Sequence, residues 1–150
     1  MTLKNEMVKV EFRLEPDEDG YPPVAAETVW AHKTGRSGEF TINNVPFFAT
    51  QATIGDTVAA ERVAGVLTFQ SVVNYGGHSL VRVLCRNDAN REIVRSKLRG
   101  IGCDLEFSEQ YGLFAVDVPP SVRFRDVQSL LETMQGSLDI DFEEPITYDD

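Results

Sequence analysis

The sequence predicts an α+β fold: a small β-barrel or rolled sheet over residues 1–77, packed on a second, mixed unit over residues 78–150. Three observations predict it. Short runs of the first half alternate apolar and polar residues or are rich in β-branched ones, with turn residues between them. Two stretches near residues 91–98 and 124–134 instead carry apolar residues at helical spacing. Gly76 and Gly77 separate the two rhythms.

The elements follow in order. Val8, Val10, Phe12 and Leu14 alternate with Lys9, Glu11, Arg13 and Glu15, the pattern of a half-buried strand. Residues 16–23 hold Asp17, Glu18, Asp19, Gly20 and three prolines, so they form a loop. Residues 28–32 make a second strand anchored by Trp30, and residues 34–38 a turn. Phe40 and Ile42 begin a third strand that Asn43 and Asn44 break. The segment 45–48 is apolar but contains Pro46, which cannot donate to a ladder, so it suits a strand start or a sheet edge. Gly55 allows a tight turn that feeds the next strand, and residues 66–73 form another, rich in β-branched side chains. About five short strands without a helical period point to a barrel or roll.

In the second half, residues 79–85 read as a strand. Asp88 or Asn90 can cap a helix from about Arg91 to Leu98, with Ile93, Val94, Leu98 and Ile101 towards the core and Gly100 and Gly102 at its end. Strands follow at 104–108 and 113–118, separated by a turn at 110–112. Pro119 and Pro120 stop the latter. Phe124, Val127, Leu130, Leu131 and Met134 define a second helix ended by Gly136. Leu138, Ile140 and Phe142 then alternate with Asp139, Asp141 and Glu143. The order β-α-β-β-α-β is that of a ferredoxin-like split unit. In that topology the last strand is an edge, so Asp139, Asp141 and Glu143 form an exposed carboxylate row, which also discourages edge-to-edge pairing. The helix-free face carries Leu80, Leu84, Leu113 and Ala115, which want cover.

Charge is distributed unevenly. Residues 100–150 hold twelve acids against Arg123 and Arg125, whereas residues 1–99 hold twelve of each sign, and the whole chain carries a net charge of −10. Such a field repels polyanions and attracts basic surfaces. It argues against nucleic acid, as do Leu113 and Ala115 at the positions where an RNA-binding sheet of this topology stacks bases. The cluster Arg82, Arg86, Arg91, Arg95, Lys97 and Arg99 reads as a solvated helix face paired with nearby acids. No apolar run approaches the roughly 20 residues of a membrane helix, and the start lacks the apolar core of a signal peptide. These features predict a cytoplasmic protein with no membrane partner.

No cofactor is expected, because neither a P-loop nor a dinucleotide glycine pattern occurs. No metal is expected either: Cys85, Cys103, His32 and His78 are widely separated, and 17–19 lacks the spacing of a calcium loop. The cysteines read as buried and reduced. His78 and Ser79, after flexible glycines, are the weak catalytic candidates. No G-x-S-x-G elbow supports them, and a junction histidine bonded to backbone is the plain alternative. The second half also resembles ACT-type ligand-sensing domains in strand order, although its turn at 86–90 lacks their aspartate-x-proline-glycine form.

A set of residues spans nearly the whole chain: Phe12-Arg-Leu14, Asp17-Glu-Asp-Gly-Tyr-Pro-Pro23, Glu27 with Trp30-Ala31, Asn44-Val-Pro-Phe-Phe-Ala49, Gly55-Asp56 with Val58, Gly77-His-Ser79 and Ala115-Val-Asp-Val-Pro-Pro120. With these the chain resembles an uncharacterised bacterial domain-of-unknown-function family, DUF4265. The resemblance implies a bacterial cytoplasmic protein and brings no activity or catalytic residue.

Together these readings predict a non-enzymatic, acidic protein-binding module. Its partner-binding residues are Glu132, Asp139, Asp141, Glu143, Glu144, Asp149 and Asp150. Its most concrete form is an immunity-type inhibitor covering a basic toxin. The alternatives are an ACT-like small-molecule sensor with a pocket between barrel and sheet, and an enzyme using His78. Oligomeric state is not legible in the sequence.

Overall fold

The computed structural model describes residues 7–148. The fold is mixed α+β, mostly strands in two sheets, with two helices. The chain divides between Gly76 and Gly77 into two compact units.

The first unit contains β1 (Met7–Arg13), β2 (Ala26–Lys33), β3 (Glu39–Ile42), β4 (Thr57–Val63) and β5 (Val66–Asn74). Each strand pairs antiparallel with the next. Five alternating strands leave the first and last running the same way, so the sheet can close on itself only through a parallel pair. It does so at Glu11↔Thr68. The period-two pattern turns Val10, Phe12, Val29, Ala31, Phe40, Ile42, Val58 and Leu67 inward, all buried. Phe12 stacks on Phe69 at 4.6 Å. Each buried side chain of this size contributes roughly 1.5–3 kcal/mol.

The second unit contains β6 (Ser79–Cys85), α1 (Arg91–Gly100), β7 (Asp104–Ser108), β8 (Leu113–Val118), α2 (Phe124–Ser137) and β9 (Ile140–Ile146). Its sheet has the order β7-β8-β6-β9, antiparallel throughout. Val94 and Leu98 of α1 and Phe124, Val127, Leu131 and Met134 of α2 share one core with Val81, Val83, Phe114, Val116 and Val118. The opposite face carries Leu80 and Arg82 of β6 and Ala115 and Asp117 of β8, all buried.

Three local expectations are corrected. Residues 45–48 are not a strand; their amides go elsewhere, as described below. Asn90 stands at the cap position of α1, but its side chain makes no capping bond, and Asp88 lies outside that position. A short 3-10 turn over Asp88–Asn90 precedes α1, and the Asn87 side chain accepts the amide of Ala89. Finally, α2 passes through Gly136 and ends one residue later, at Ser137. Cys85 and Cys103 are both free and buried.

Candidate functional site

The ladder between β6 and β9 sets Arg82 beside Glu143 and Leu84 beside Asp141. Arg86, just beyond β6, reaches back to the same strand. Its Nη1 lies 3.3 Å from Asp139 Oδ1, and its Nη2 donates to Asp141 Oδ2. Arg82 Nη1 lies 3.5 Å from Glu143 Oε1. Gln135 donates to Asp141, and Gln128 donates to Glu144 at 3.0 Å. The guanidinium of Arg86 holds the Asp141 carboxyl below the usual carboxylate range. The carboxylate row at this edge is therefore ion-paired, with Asp139 and Asp141 still 63% and 56% exposed. Glu132 stands exposed on α2. Asp149 and Asp150 lie outside the described residues.

A second group of side chains was only half visible in the sequence. His78 Nδ1 lies 2.7 Å from Asp117 Oδ1, not on a backbone group as the plain alternative held. Burial pushes the Asp117 carboxyl up, and the His78 hydrogen bond partly pulls it back. Burial, with Asp117 adding to it, pushes the Cys103 thiol up to about 12. Ser79 does not join this pair. It falls on the face of β6 opposite Leu80, the residue paired with Asp117, and its Oγ accepts the amide of Tyr148 at 2.8 Å. Ser79 instead lines a small cavity of about 190 Å³ with Gly77, Val118, Pro119, Pro120 and Tyr148. The pair His78–Asp117 can hold and pass a proton, with Asp117 fixing the ring's orientation. No second reacting group is joined to it by a hydrogen bond among the described residues.

The basic cluster is largely spoken for. Arg91 pairs with Asp88 at 2.7 Å and Glu109 at 3.5 Å, and Arg95 pairs with Glu92 at 3.0 Å. Arg91 also lies over the Phe107 ring, 4.4 Å from its centre. Among the described residues no group of three or more His, Cys, Asp or Glu side chains is placed to hold a metal ion. No described helix is long and apolar enough to cross a membrane.

The sequence model of DUF4265, a domain of unknown function, matches residues 27–142. The chain belongs to this family. A structure titled "Novel crystal structure of a hypothetical protein from Neisseria gonorrhoeae" is similar, with a TM-score of 0.76 over 92% of this chain and 93% of that one, at 17% identity. At that identity the likeness is one of fold. No curated protein matches the chain.

Several residues that carry the DUF4265 resemblance bond to one another or to their neighbours. Glu27 of β2 receives three successive amides, Phe47 on Oε2 and Phe48 and Ala49 on Oε1, at 2.6–2.8 Å. That is where the amides of the expected edge strand go. Asn44 Oδ1 accepts the amide of Trp30 at 2.6 Å. Asp56, fully buried, accepts the amides of Thr53 and Gly76 at 3.0 and 2.8 Å. Asp17 accepts those of Asp19 and Tyr21, so the 17–19 acids organise a turn. In this DUF4265 chain part of the motif is thus scaffold: buried or loop amides satisfied by carboxylates and by Asn44. His78 and Asp117, also in the motif, contact each other side chain to side chain.

Proposed function

We propose that the chain is a non-enzymatic binding module whose acidic surface engages a basic protein. An immunity-type inhibitor that covers a basic toxin is the most concrete form of this reading. One observation carries it. The surface formed by α2 and β9 carries Glu132, Asp139, Asp141, Glu143 and Glu144, with Arg82 and Arg86 paired to β9 and Arg125 exposed on α2 as its cations. The pairing reduces the charge of this surface without cancelling it. It also fixes Asp141 through Arg86 and Gln135, so less side-chain entropy is lost when a partner's cation approaches. The closed five-strand ring supports reading the first unit as a small barrel, and the order β7-β8-β6-β9 supports a ferredoxin-like second unit. Steering of this kind raises association rates and weakens with salt. The test is quantitative mass spectrometry of host proteins retained by the wild-type chain and by a chain with these five acids changed to their amides. A basic protein retained only by the wild type, and released at high ionic strength, is the expected result. An identical retained set for the two chains refutes the proposal.

A second reading, proton transfer at His78, is favoured by the 2.7 Å contact to the mostly buried Asp117. It would make the chain an enzyme or a pH-responsive binder. Both forms require His78 to be reachable, and its side chain is 23% exposed.

A further inference from the structure

The single parallel register of the ring leaves a feature that the acidic surface does not use. Among the described residues β1 meets β5 at the single register Glu11↔Thr68. Along Met7–Val10 no strand pairs with β1 on that side, among the described residues. Beside this stretch lies a groove of about 490 Å³, lined by β1, β2 and the β4–β5 hairpin. Its floor is the cross-strand pair Lys9↔Trp30. Its far rim is the β4–β5 hairpin, with Arg62, Gly65 and Val66. That rim is fixed by a two-residue turn, Ala64 and Gly65, both at positive φ (53° and 84°). Arg62 Nη1 donates to the Gly65 carbonyl at 3.3 Å.

The groove combines exposed apolar surface with positive charge. Trp30 is 44% exposed and Val66 40%, large apolar surface for single strand positions. Lys9 Nζ sits over the indole, 5.1 Å from its centre. Two cations, Lys9 and Arg62, face one acid, Glu11, which already lies 3.8 Å from Arg13. In a chain of net charge −10 this is a locally positive, apolar slot beside an open backbone edge.

We propose that this slot binds an extended segment of a partner protein in which acidic and apolar residues alternate. The segment adds to the free edge of β1 by main-chain hydrogen bonds, the general mode of strand addition. Its apolar side chains cover Trp30 and Val66, and its carboxylates meet Lys9 and Arg62. A basic segment would meet the two cations and be repelled.

Trp30 is the sole tryptophan, so intrinsic fluorescence reports on the slot directly. The probe is a short synthetic peptide alternating aspartate and valine, titrated into the full chain. The expected result is a saturable blue shift of Trp30 emission, with roughly tenfold weaker binding in the K9E/R62E double variant. A peptide with lysine in place of aspartate should produce no shift. Both substituted positions are exposed, and circular dichroism verifies that the variant is folded. No saturable shift in the wild type, an equal response to the lysine peptide, or undiminished binding in the double variant overturns the proposal. A shift that appears on concentrating the protein alone assigns the slot to a second copy and also overturns it. So does peptide binding that appears only after deletion of residues 1–6, which would make the chain's own first residues the occupant.

Discussion

Gly76 lies against the backbone of Gly55, so closely that a Cβ built on Gly76 would overlap the Gly55 carbonyl. The approach is locked by Asp56, which takes the Gly76 amide at 2.8 Å. Gly55 itself adopts φ +90°, a conformation that side chains resist. Gly76→Ala should therefore lower stability by about 2 kcal/mol, as the backbone has no flexible neighbour to yield. Gly136→Ala is the control. That glycine is inside α2 with open space around it, and the substitution should raise stability by about 0.5–1 kcal/mol. Urea denaturation of the two variants measures both signs.

Removing the Glu27 carboxylate leaves three amides without their acceptor. Glu27→Ala should cost about 3 kcal/mol, since hydrogen bonds to a charged group are worth more than neutral ones. Glu27→Gln should cost about half as much. One amide oxygen can still serve Phe48 and Ala49, while its NH₂ opposes the Phe47 amide. Equal losses for the two variants would show that the side chain's stem, not its carboxylate, holds the loop.

The raised Asp117 carboxyl gives a signed dependence on pH. A group whose folded pKa exceeds its unfolded value binds more protons when folded between the two values. Stability from this site is therefore complete below the ordinary aspartate range and falls as pH rises through the elevated folded value. Asp117→Asn should flatten that segment of the stability curve. In His78→Ala the hydrogen bond that lowers the carboxyl is gone, so a carbon-detected titration should find the Asp117 midpoint moved further up. A midpoint moved down would mean that His78 does not donate to this carboxylate.

Burial and the nearby Asp117 carboxylate leave Cys103 poorly ionised, with its thiol pushed up to about 12. Cys85 is raised in the same direction by burial. At neutral pH a disulfide reagent such as dithionitrobenzoate should titrate neither thiol in the native chain and both after unfolding. Rapid reaction of one thiol in native conditions would show an opening that the static fold lacks.

Most elements were readable from residue patterns because each is local. The alternation from Val8 to Leu14, the β-branched run at 66–73 and the apolar face at Phe124, Val127 and Leu131 all depend on near neighbours. The readings that failed depend on distant ones. Pro46 and its apolar neighbours look like an edge strand until Glu27, some twenty residues earlier, collects their amides. Asp88 and Asn90 are both plausible caps; Asn90 does hold the position before α1 but makes no side-chain bond there, and Asp88 falls within a 3-10 turn that Asn87 caps. Arg86 belongs by sequence to a basic run leading into α1, yet the ladder between β6 and β9 delivers it to Asp139 and Asp141. His78 finds Asp117 across thirty-nine residues, and only the register of β6 on β8 aligns them.

The Glu27 contact also bears on the order in which the chain can assemble. On a chain growing from its amino end, this anion emerges first and its three amides some twenty residues later. Until then it is an ordinary hydrated charge with nothing to hold. The segment it gathers has few turn residues of its own, so it acquires a shape only when a strand already laid down offers it one. Maturation of this region should thus be a late event, gated by the arrival of main-chain donors and not by the side chains that accompany them.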